Sequence, residues 1–222
     1  MSNYKVVEIF SSINGEGPRQ GQLALFIRMQ GCNLDCSYCD TRWANEEDVK
    51  FHWTSTEEIL DVVQQMHIRN ITLTGGEPLL QENIMELLQA LAADPWLRVE
   101  IETNGSVPLA PFARMENPPA FNMDYKLPGS GMEDKMVLEN FAFLGQKDAV
   151  KFVVKDYEDL CRSRDLIREY NLTERCHVLL SPVYGEMELE NMVYFMRNNG
   201  MNDVAMQLQI HKIVWDSEMR GV

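Results

Sequence analysis

The chain has 222 residues, of which 45% are hydrophobic and 24% charged, and its formal net charge is -14. This length and composition suit a single α/β domain with a real core, and no apolar run is long enough to cross a membrane. The acidic balance, without a cluster of lysines and arginines, disfavours binding to nucleic acid phosphates. The first residues lack the apolar stretch of a signal peptide, and we therefore expect a cytoplasmic protein.

Predicted strands and helices alternate along the chain. Helices are predicted from residue 55, where Ser55 and Glu58 have capping-box spacing, from Ile84, over 156–170 and from Leu189. The strands are predicted at residues 6–10, 24–30, 70–74, 98–103, 120–124, 149–154, 177–181 and 204–209. This alternation predicts right-handed βαβ units and a parallel sheet, with the functional loops gathered at the carboxyl ends of the strands. Such loops would form the mouth of an open barrel, and the glycine-containing segment 128–131 is predicted to be a flexible loop that acts as a lid.

Three cysteines, Cys32, Cys36 and Cys39, fall within one short loop after the strand at 24–30. Their thiolates can converge on one metal centre. A structural zinc site would recruit further ligands such as His52 or His67, and a redox dithiol would use Cys36 and Cys39 alone. An iron–sulfur cluster would use all three cysteines and leave one iron open to a small molecule. The spacing therefore predicts thiolate or metal chemistry in this loop.

Two other stretches carry unusual residue types. Arg28 lies within an apolar strand, so it must be paired, either with a ligand carboxylate or within an internal salt bridge. The strand at 70–74 runs into residues 75–78, Gly-Gly-Glu-Pro, where glycines let the backbone approach a ligand closely. Cys161 and Cys176 match no motif and are interpreted as ordinary thiols.

The Cys-x3-Cys-x2-Cys spacing, the aromatic Tyr38 before the third cysteine and the downstream Gly-Gly-Glu-Pro resemble the radical S-adenosylmethionine (SAM) superfamily. The resemblance implies a single radical SAM domain over residues 1–222, folded as a compact, modified partial (open) parallel β/α barrel. It also implies a [4Fe–4S] cluster whose open iron binds SAM and whose electron cleaves SAM to a 5′-deoxyadenosyl radical.

Further segments resemble one family of that superfamily, the 7-carboxy-7-deazaguanine synthases. These segments are residues 13–17, Arg28, 39–41, Thr74, 102–105 and 209–212. The resemblance implies a lyase that converts 6-carboxy-5,6,7,8-tetrahydropterin to 7-carboxy-7-deazaguanine with release of ammonia, in queuosine and deazapurine biosynthesis. The radical would abstract the hydrogen at C6, the ring would contract, and hydrogen return would regenerate SAM. Mg²⁺ would hold the substrate carboxylate. The resemblance further suggests a homodimer that receives electrons from flavodoxin or ferredoxin.

Site residues follow from this resemblance position by position. The cluster ligands, which generate the radical, would be Cys32, Cys36 and Cys39. The SAM contacts would be Tyr38, Cys39, Asp40, Gly76, Glu77, Glu102, Asn104, Asp124, Tyr125, Lys126, Ser181, Pro182 and Val183. The substrate contacts would be Ile13, Asn14, Gly15, Glu16, Arg28, Thr74, Gln209 and His211. Thr41 would place its hydroxyl on Mg²⁺; the alternative from the sequence alone is that it caps a helix.

The sequence departs from the family pattern at Asn14, Ser181 and Asp124–Tyr125. The chain also continues past His211 and Lys212, so we do not expect Val222 to contact substrate. Two alternatives stay open: a glycyl-radical-enzyme activating enzyme, which shares the cysteine spacing, and a non-enzymatic iron–sulfur carrier or zinc-stabilised binding domain. The loop at 13–17, Arg28 and the segment 209–212 favour a small anionic heterocycle as the substrate.

Overall fold

The computed structural model describes residues 2–46, 48–217 and 219–222. Within these residues nine strands form one sheet, in the order β3-β1-β2-β4-β5-β6-β7-β8-β9. The strands are β1 (Asn3–Ile13), β2 (Leu23–Met29), β3 (His52–Ser55), β4 (Asn70–Gly75), β5 (Arg98–Thr103), β6 (Ala120–Tyr125), β7 (Ala149–Val154), β8 (His177–Pro182) and β9 (Val204–Met206). This arrangement confirms the predicted α/β class with an open, mostly parallel sheet.

The parallel part of the sheet runs from β2 through β4 to β9, as predicted. The prediction of alternating strands and helices is wrong at the start of the chain. There β1 pairs antiparallel with β2 and with β3, because the short loop 14–22 can join two strands only as a hairpin. The first strand is longer than predicted, and the last ends at Met206 rather than at residue 209.

The described α-helices are α1 (Thr56–Met66), α2 (Ile84–Ala92), α3 (Ala110–Ala113), α4 (Tyr157–Glu169), α5 (Leu189–Asn198) and α6 (His211–Val214). The capping box is confirmed: Glu58 N donates to Ser55 Oγ at 3.2 Å, and Ser55 N donates to the Glu58 carboxylate at 2.7 Å. Between β6 and β7, where the sequence predicts a loop at 128–131 and no helix, the chain forms short 3-10 helices. None of the helices described is long and apolar enough to cross a membrane.

The two faces of the parallel sheet differ in chemistry because side chains alternate along each strand. One face carries the hydrophobic core, with residues such as Leu73, Ile101, Phe121 and Phe152 fully buried. The opposite face, called the inner face here, carries mainly polar and charged side chains. These are Arg28, Thr72, Thr74, Glu100, Glu102, Asn122, Asp124, Lys151 and Ser181.

The loop 14–22 fills the lower part of the inner face. Thr72 Oγ1 donates to Asn14 Oδ1 at 3.0 Å, and Arg19 pairs with the buried Glu100 at 2.7 Å. The Gln207 side chain bonds the backbone of Gly17 in both directions, at 2.7 and 3.0 Å. The loop therefore forms a floor on the inner face, below the carboxyl ends of the strands.

The segment 128–131 is fixed to its surroundings, so the prediction of a flexible lid is wrong. The buried Asp159 carboxylate accepts from the backbone N–H of Gly129 at 2.8 Å and of Lys155 at 2.9 Å. Ser37, in the cysteine loop, donates from its backbone to Ser130 O at 3.0 Å and from its hydroxyl to Gly129 O at 2.8 Å. The segment is thus a support for the cysteine loop.

Candidate active site

A cavity of about 520 Å³ lies above the floor formed by loop 14–22. It brings together most of the residues that the sequence predicts. Those lining it are Ile13, Gly15, Glu16, Arg28, Cys32, Cys36, Tyr38, Cys39, Asp40, Thr41, Thr74, Gly76, Glu102, Asn104, Asp124, Lys126, Ser181, Pro182, Val183, Gln209 and His211. They come from both ends of the chain and from seven of the strands or the loops after them, so the cavity is one site built by most of the sheet.

Three predicted ligand contacts lie outside this cavity and are corrected. The Tyr125 side chain is on the hydrophobic face, with ring centroids 5.4 Å from Phe141 and 5.7 Å from Phe152. The Asn14 side chain is buried in the floor against Thr72. Glu77 is fully buried behind the wall, where it accepts hydrogen bonds from the backbone and from Thr103. In each case a strand or turn directs the side chain away from the open space.

The cysteine loop presents three free thiols to the cavity. Burial raises the pKa of Cys36. Lys126 lowers this pKa, and the charges of Cys39 and Cys32 raise it, so the three sulfurs would repel one another as thiolates. Bound iron would relieve this repulsion, because thiolates are the ligands of iron–sulfur clusters. The donor set therefore fits a cluster held by three cysteines.

A single metal ion fits this loop less well. Among residues 2–46, 48–217 and 219–222, no group of three or more His, Cys, Asp or Glu side chains is arranged to hold one ion. The thiolates of a cubic cluster each bind a different iron, so they lie further apart than the ligands of one zinc ion. His52 and His67, the predicted additional zinc ligands, are exposed and do not line the cavity.

The Gly-Gly-Glu-Pro turn packs directly on the backbone that leads into the cysteine loop. Gly76 N donates to Met29 O at 3.1 Å, and Glu77 N donates to Gly31 O at 2.9 Å. A Cβ atom on Gly76 would collide with the Gly31 carbonyl and with Asn45 Oδ1. The close approach explains why glycine is required at position 76.

The same place offers an unsatisfied acceptor. Asn45 Oδ1 is buried and has no hydrogen-bond partner among the described residues, and Asn45 lines the cavity beside Gly76. A buried acceptor that receives no hydrogen bond destabilises the folded protein, so we expect a ligand to supply the donor. An ammonium group bound at this turn would supply that donor, and the site therefore fits the amino group of SAM's methionine portion.

A chain of charged side chains crosses the inner face. Lys151 Nζ lies 2.5 Å from Glu16 Oε2 and 3.0 Å from Asp124 Oδ1, and Lys126 Nζ lies 3.0 Å from the other Asp124 oxygen. The Ser181 hydroxyl donates to Glu16 Oε1 at 3.1 Å. Burial alone would raise the pKa of Asp124, but Lys126 and Lys151 outweigh it and lower that pKa. Asp124 is therefore an anion in the cavity.

Glu102 and His211 differ from these ion pairs. Burial raises the pKa of Glu102 to about 7, and its carboxylate accepts a hydrogen bond from Thr74 Oγ1 at 2.6 Å. Burial also lowers the pKa of His211, whose ring packs against Gly15. Glu102 can therefore take up or release a proton near neutral pH, whereas burial favours the neutral form of His211.

The sequence left alternatives open at Arg28 and Thr41, and the structure shows the contacts that each side chain makes. Arg28 Nε donates to Glu8 Oε1 at 2.7 Å, so the internal salt bridge is present, and both side chains line the cavity. Thr41 precedes the 3-10 helix Arg42–Asn45, but its side chain makes no capping hydrogen bond within that described segment. Its hydroxyl instead donates to Asp40 Oδ1 at 2.9 Å. Burial alone would raise the pKa of Asp40, but Lys212 and Thr41 lower it to about 2.

Several cavity residues were missed by sequence reasoning. Lys151 was recognisable from strand alternation, since it breaks an otherwise apolar β7. The chain's last residues gave no such signal, yet Ser217, Met219, Arg220, Gly221 and Val222 also line the cavity. We did not expect Val222 to contact substrate, and the structure nevertheless places it in the cavity lining. Arg220 lies over the Trp43 ring, 4.1 Å from its centroid, which fastens this segment to the end of the cysteine loop.

Comparison with known proteins agrees with this geometry. The family model described as "Radical SAM superfamily" matches residues 26–125. A protein of Clostridium acetobutylicum named 7-carboxy-7-deazaguanine synthase is 54% identical over 220 residues, which cover 99% of this chain and 100% of that protein. A protein of the same name from Leptospira interrogans is 33% identical over 247 residues, with both chains covered in full.

The fold has a counterpart among solved structures. The crystal structure of QueE from Escherichia coli superposes with a TM-score of 0.70 at 20% identity, covering 93% of this chain and 94% of that one. The likeness covers nearly the whole of both chains, and the two relatives named above match over their full lengths. The three cavity-facing cysteines, the Gly76 turn and full-length identity of 54% thus lead to one conclusion: the chain belongs to the 7-carboxy-7-deazaguanine synthase family of radical SAM enzymes.

Proposed function

We propose that this chain converts 6-carboxy-5,6,7,8-tetrahydropterin to 7-carboxy-7-deazaguanine, with release of ammonia, in queuosine biosynthesis. Full-length identity to a protein named for this product carries the proposal, and the cavity supports it. The cluster and SAM, when bound, supply the radical that starts the reaction. Cys32, Cys36 and Cys39 would hold the cluster.

The chain's own residues bind and orient the two small molecules. Gly76 and Asn45 would receive the SAM ammonium, and Asn104 and Lys126 would lie along the rest of SAM. Ile13, Gly15 and Glu16 would line the pterin from below, with His211 beside them. The floor formed by loop 14–22 closes the site underneath, so it excludes water from the reacting atoms.

Two features of the cavity support a small substrate over the glycine loop of a protein substrate. The floor is sealed by the Arg19–Glu100 pair and by the bonds between Gly17 and Gln207. Polar and charged side chains line much of the cavity wall, among them Glu16, Glu102 and Lys151. Closely spaced polar groups suit a heterocycle with a dense edge of donors and acceptors.

The direct test is anaerobic reconstitution with iron and sulfide, followed by incubation with SAM, reductant, Mg²⁺ and the carboxylated tetrahydropterin. We expect equal amounts of ammonia and 7-carboxy-7-deazaguanine. Cleavage of SAM without either product would contradict the proposed substrate and favour the activating enzyme. A Cys36→Ala variant that still held a four-iron cluster and cleaved SAM would show that Cys36 is not a cluster ligand.

We also propose that Thr41 places its hydroxyl on a Mg²⁺ ion at the substrate carboxylate. Its oxygen lines the cavity next to the anionic Asp40, and hard cations prefer oxygen ligands. A Thr41→Ala variant should keep its cluster and lose the stimulation of turnover by Mg²⁺. Thr54→Ala, the same change on the edge strand β3, is the control. An unchanged Mg²⁺ response in Thr41→Ala would remove this residue from the metal site.

The remaining parts of the proposal concern partners. A one-electron donor such as flavodoxin or ferredoxin would reduce the cluster, and the chain would act as a homodimer in the cytoplasm. These stay predictions. The visible spectrum of the cluster would show whether a purified flavodoxin reduces it. Sedimentation analysis of the purified protein would test the homodimer.

A further inference from the structure

We propose that Lys151 is a positioning residue for substrate recognition: its ammonium group holds the Glu16 carboxylate in the orientation that binds the polar edge of the pterin. This inference rests on the proposed function, since it concerns the same cavity and substrate. It adds a residue from the middle of the sheet that neither the sequence motifs nor the cysteine loop indicates.

The geometry gives Lys151 a central place. It stands on β7 on the inner face, and its Nζ bridges Glu16 Oε2 at 2.5 Å and Asp124 Oδ1 at 3.0 Å. Its side chain is 14% exposed, and those of Glu16 and Asp124 are 12% and 23% exposed. Ion pairs this far from bulk water are weakly screened, so each partner strongly constrains the others.

The two carboxylates depend on Lys151 to different degrees. Asp124 has a second cation, since Lys126 Nζ lies 3.0 Å from its other oxygen. Glu16 has no second cation bonded to it in the described part of the chain; its other hydrogen bond comes from the neutral Ser181 hydroxyl, at 3.1 Å. Loss of Lys151 would therefore leave Asp124 paired and Glu16 without a counter-charge.

Glu16 also has the weaker backbone support. It belongs to the loop 14–22, between Gly15 and Gly17, whereas Asp124 and Lys151 stand opposite each other on the paired strands β6 and β7. A carboxylate on a loop has more accessible orientations than one on a strand, so its direction must be fixed by a partner. Lys151 supplies that partner from a rigid element.

This asymmetry predicts a selective defect in a Lys151→Met variant. Its affinity for the carboxylated tetrahydropterin should fall by about tenfold or more, as expected when a buried charged hydrogen bond loses one partner. Its affinity for SAM should stay within about threefold, because Lys126 still holds Asp124 and Thr74 still donates to Glu102. Isothermal titration calorimetry of the cluster-loaded protein under anaerobic conditions measures both affinities. Lys135→Met, which removes an exposed lysine paired with Asp134, is the matched control.

A second set of variants tests whether Lys151 acts through Glu16. If it does, the Glu16→Gln/Lys151→Met double variant should bind the pterin as weakly as Glu16→Gln alone. The double variant also removes the unpaired carboxylate, so it reports on the proposal even if Lys151→Met folds poorly. Multiplied losses in the double variant would show independent roles and overturn the proposal. So would an unchanged pterin affinity, or an equal loss of SAM and pterin affinity, in Lys151→Met.

The test of the Lys151 role can fail independently of the test of the proposed function. Turnover of the pterin by the wild-type protein tests the function, and pterin affinity in the variants tests Lys151. In steady-state assays Lys151→Met should raise KM for the pterin more than it lowers kcat, because a positioning defect weakens binding before it alters the chemistry. A lowered kcat with unchanged KM would contradict the positioning role.

Discussion

Glu77, in the Gly-Gly-Glu-Pro turn, should make the stability of the protein depend on pH. Its carboxylate is fully buried and accepts hydrogen bonds from Leu79 N at 3.0 Å, Thr103 Oγ1 at 3.0 Å and Asn104 N at 2.6 Å. These bonds lower its pKa, but burial dominates and raises the pKa to about 7 from 4.5. The folded state thus binds the Glu77 proton more tightly than the unfolded state does.

The sign and size of the effect follow from this difference. The stabilising contribution is complete below about pH 4.5 and is lost as the pH rises through about 7. Between pH 5 and pH 8 the wild-type protein should lose about 2 to 3 kcal/mol of unfolding free energy through this one group. In Glu77→Gln, which cannot ionise, that loss is absent, so the stability difference between wild type and variant should shrink by this amount.

Urea unfolding followed by tryptophan fluorescence, with both proteins in the same cluster-free form, measures the difference at each pH. Glu57→Gln, an exposed change in the first turn of α1, is the control and should show a nearly constant difference. If the Glu77→Gln difference were also constant, Glu77 would titrate alike in the folded and unfolded states. If it grew with pH, the three hydrogen bonds would outweigh burial, and the pKa of Glu77 would be lowered in the folded state, contrary to the prediction.

Three further predictions concern the surroundings of the cysteine loop. Gly76→Ala should abolish measurable SAM binding, because its Cβ atom would collide with the backbone. Gly145→Ala is the control and should bind SAM normally, since a Cβ atom there meets one neighbour at 3.7 Å. Normal SAM binding by Gly76→Ala would contradict the close approach of the backbone at this turn. Asp159→Asn should retain less iron after reconstitution than wild type, because Asp159 fixes the segment 128–131 that supports the cysteine loop. Asp165→Asn, an exposed change on the same helix, is the control. Equal iron content in the two variants would contradict the role of Asp159. Arg220→Ala should change the tryptophan emission spectrum through loss of the cation over Trp43, and the change should vanish in a Trp43→Phe background. A change that persists there would place its source elsewhere.

Local chemistry was readable from the sequence where it depends on short spacing. The three cysteines, the Gly-Gly-Glu-Pro turn and the capping box of α1 are each formed by residues close together in the chain, so their geometry follows from backbone rules alone. The parallel sheet from β4 to β9 was also predictable, because hydrophobic strands alternating with helices have few other ways to bury their faces.

Directions of side chains and long-range pairings were decided by the tertiary structure. Tyr125 follows Asp124 directly, yet strand alternation turns it to the opposite face of the sheet. The segment 128–131 contains two glycines, which suggest flexibility, but Asp159 and Ser37 hold it in place.

The sequence by itself determined the identity of the reactive groups: three thiols in one loop, a glycine turn and an excess of acidic residues. It could not determine which cationic side chains form ion pairs with which carboxylates. Lys151 forms an ion pair with Glu16, which is 135 positions away in the chain. Arg220 contacts the Trp43 ring because the last segment of the chain lies along the cavity. Such contacts depend on how the sheet brings distant strands and loops together, and no local spacing rule contains that information.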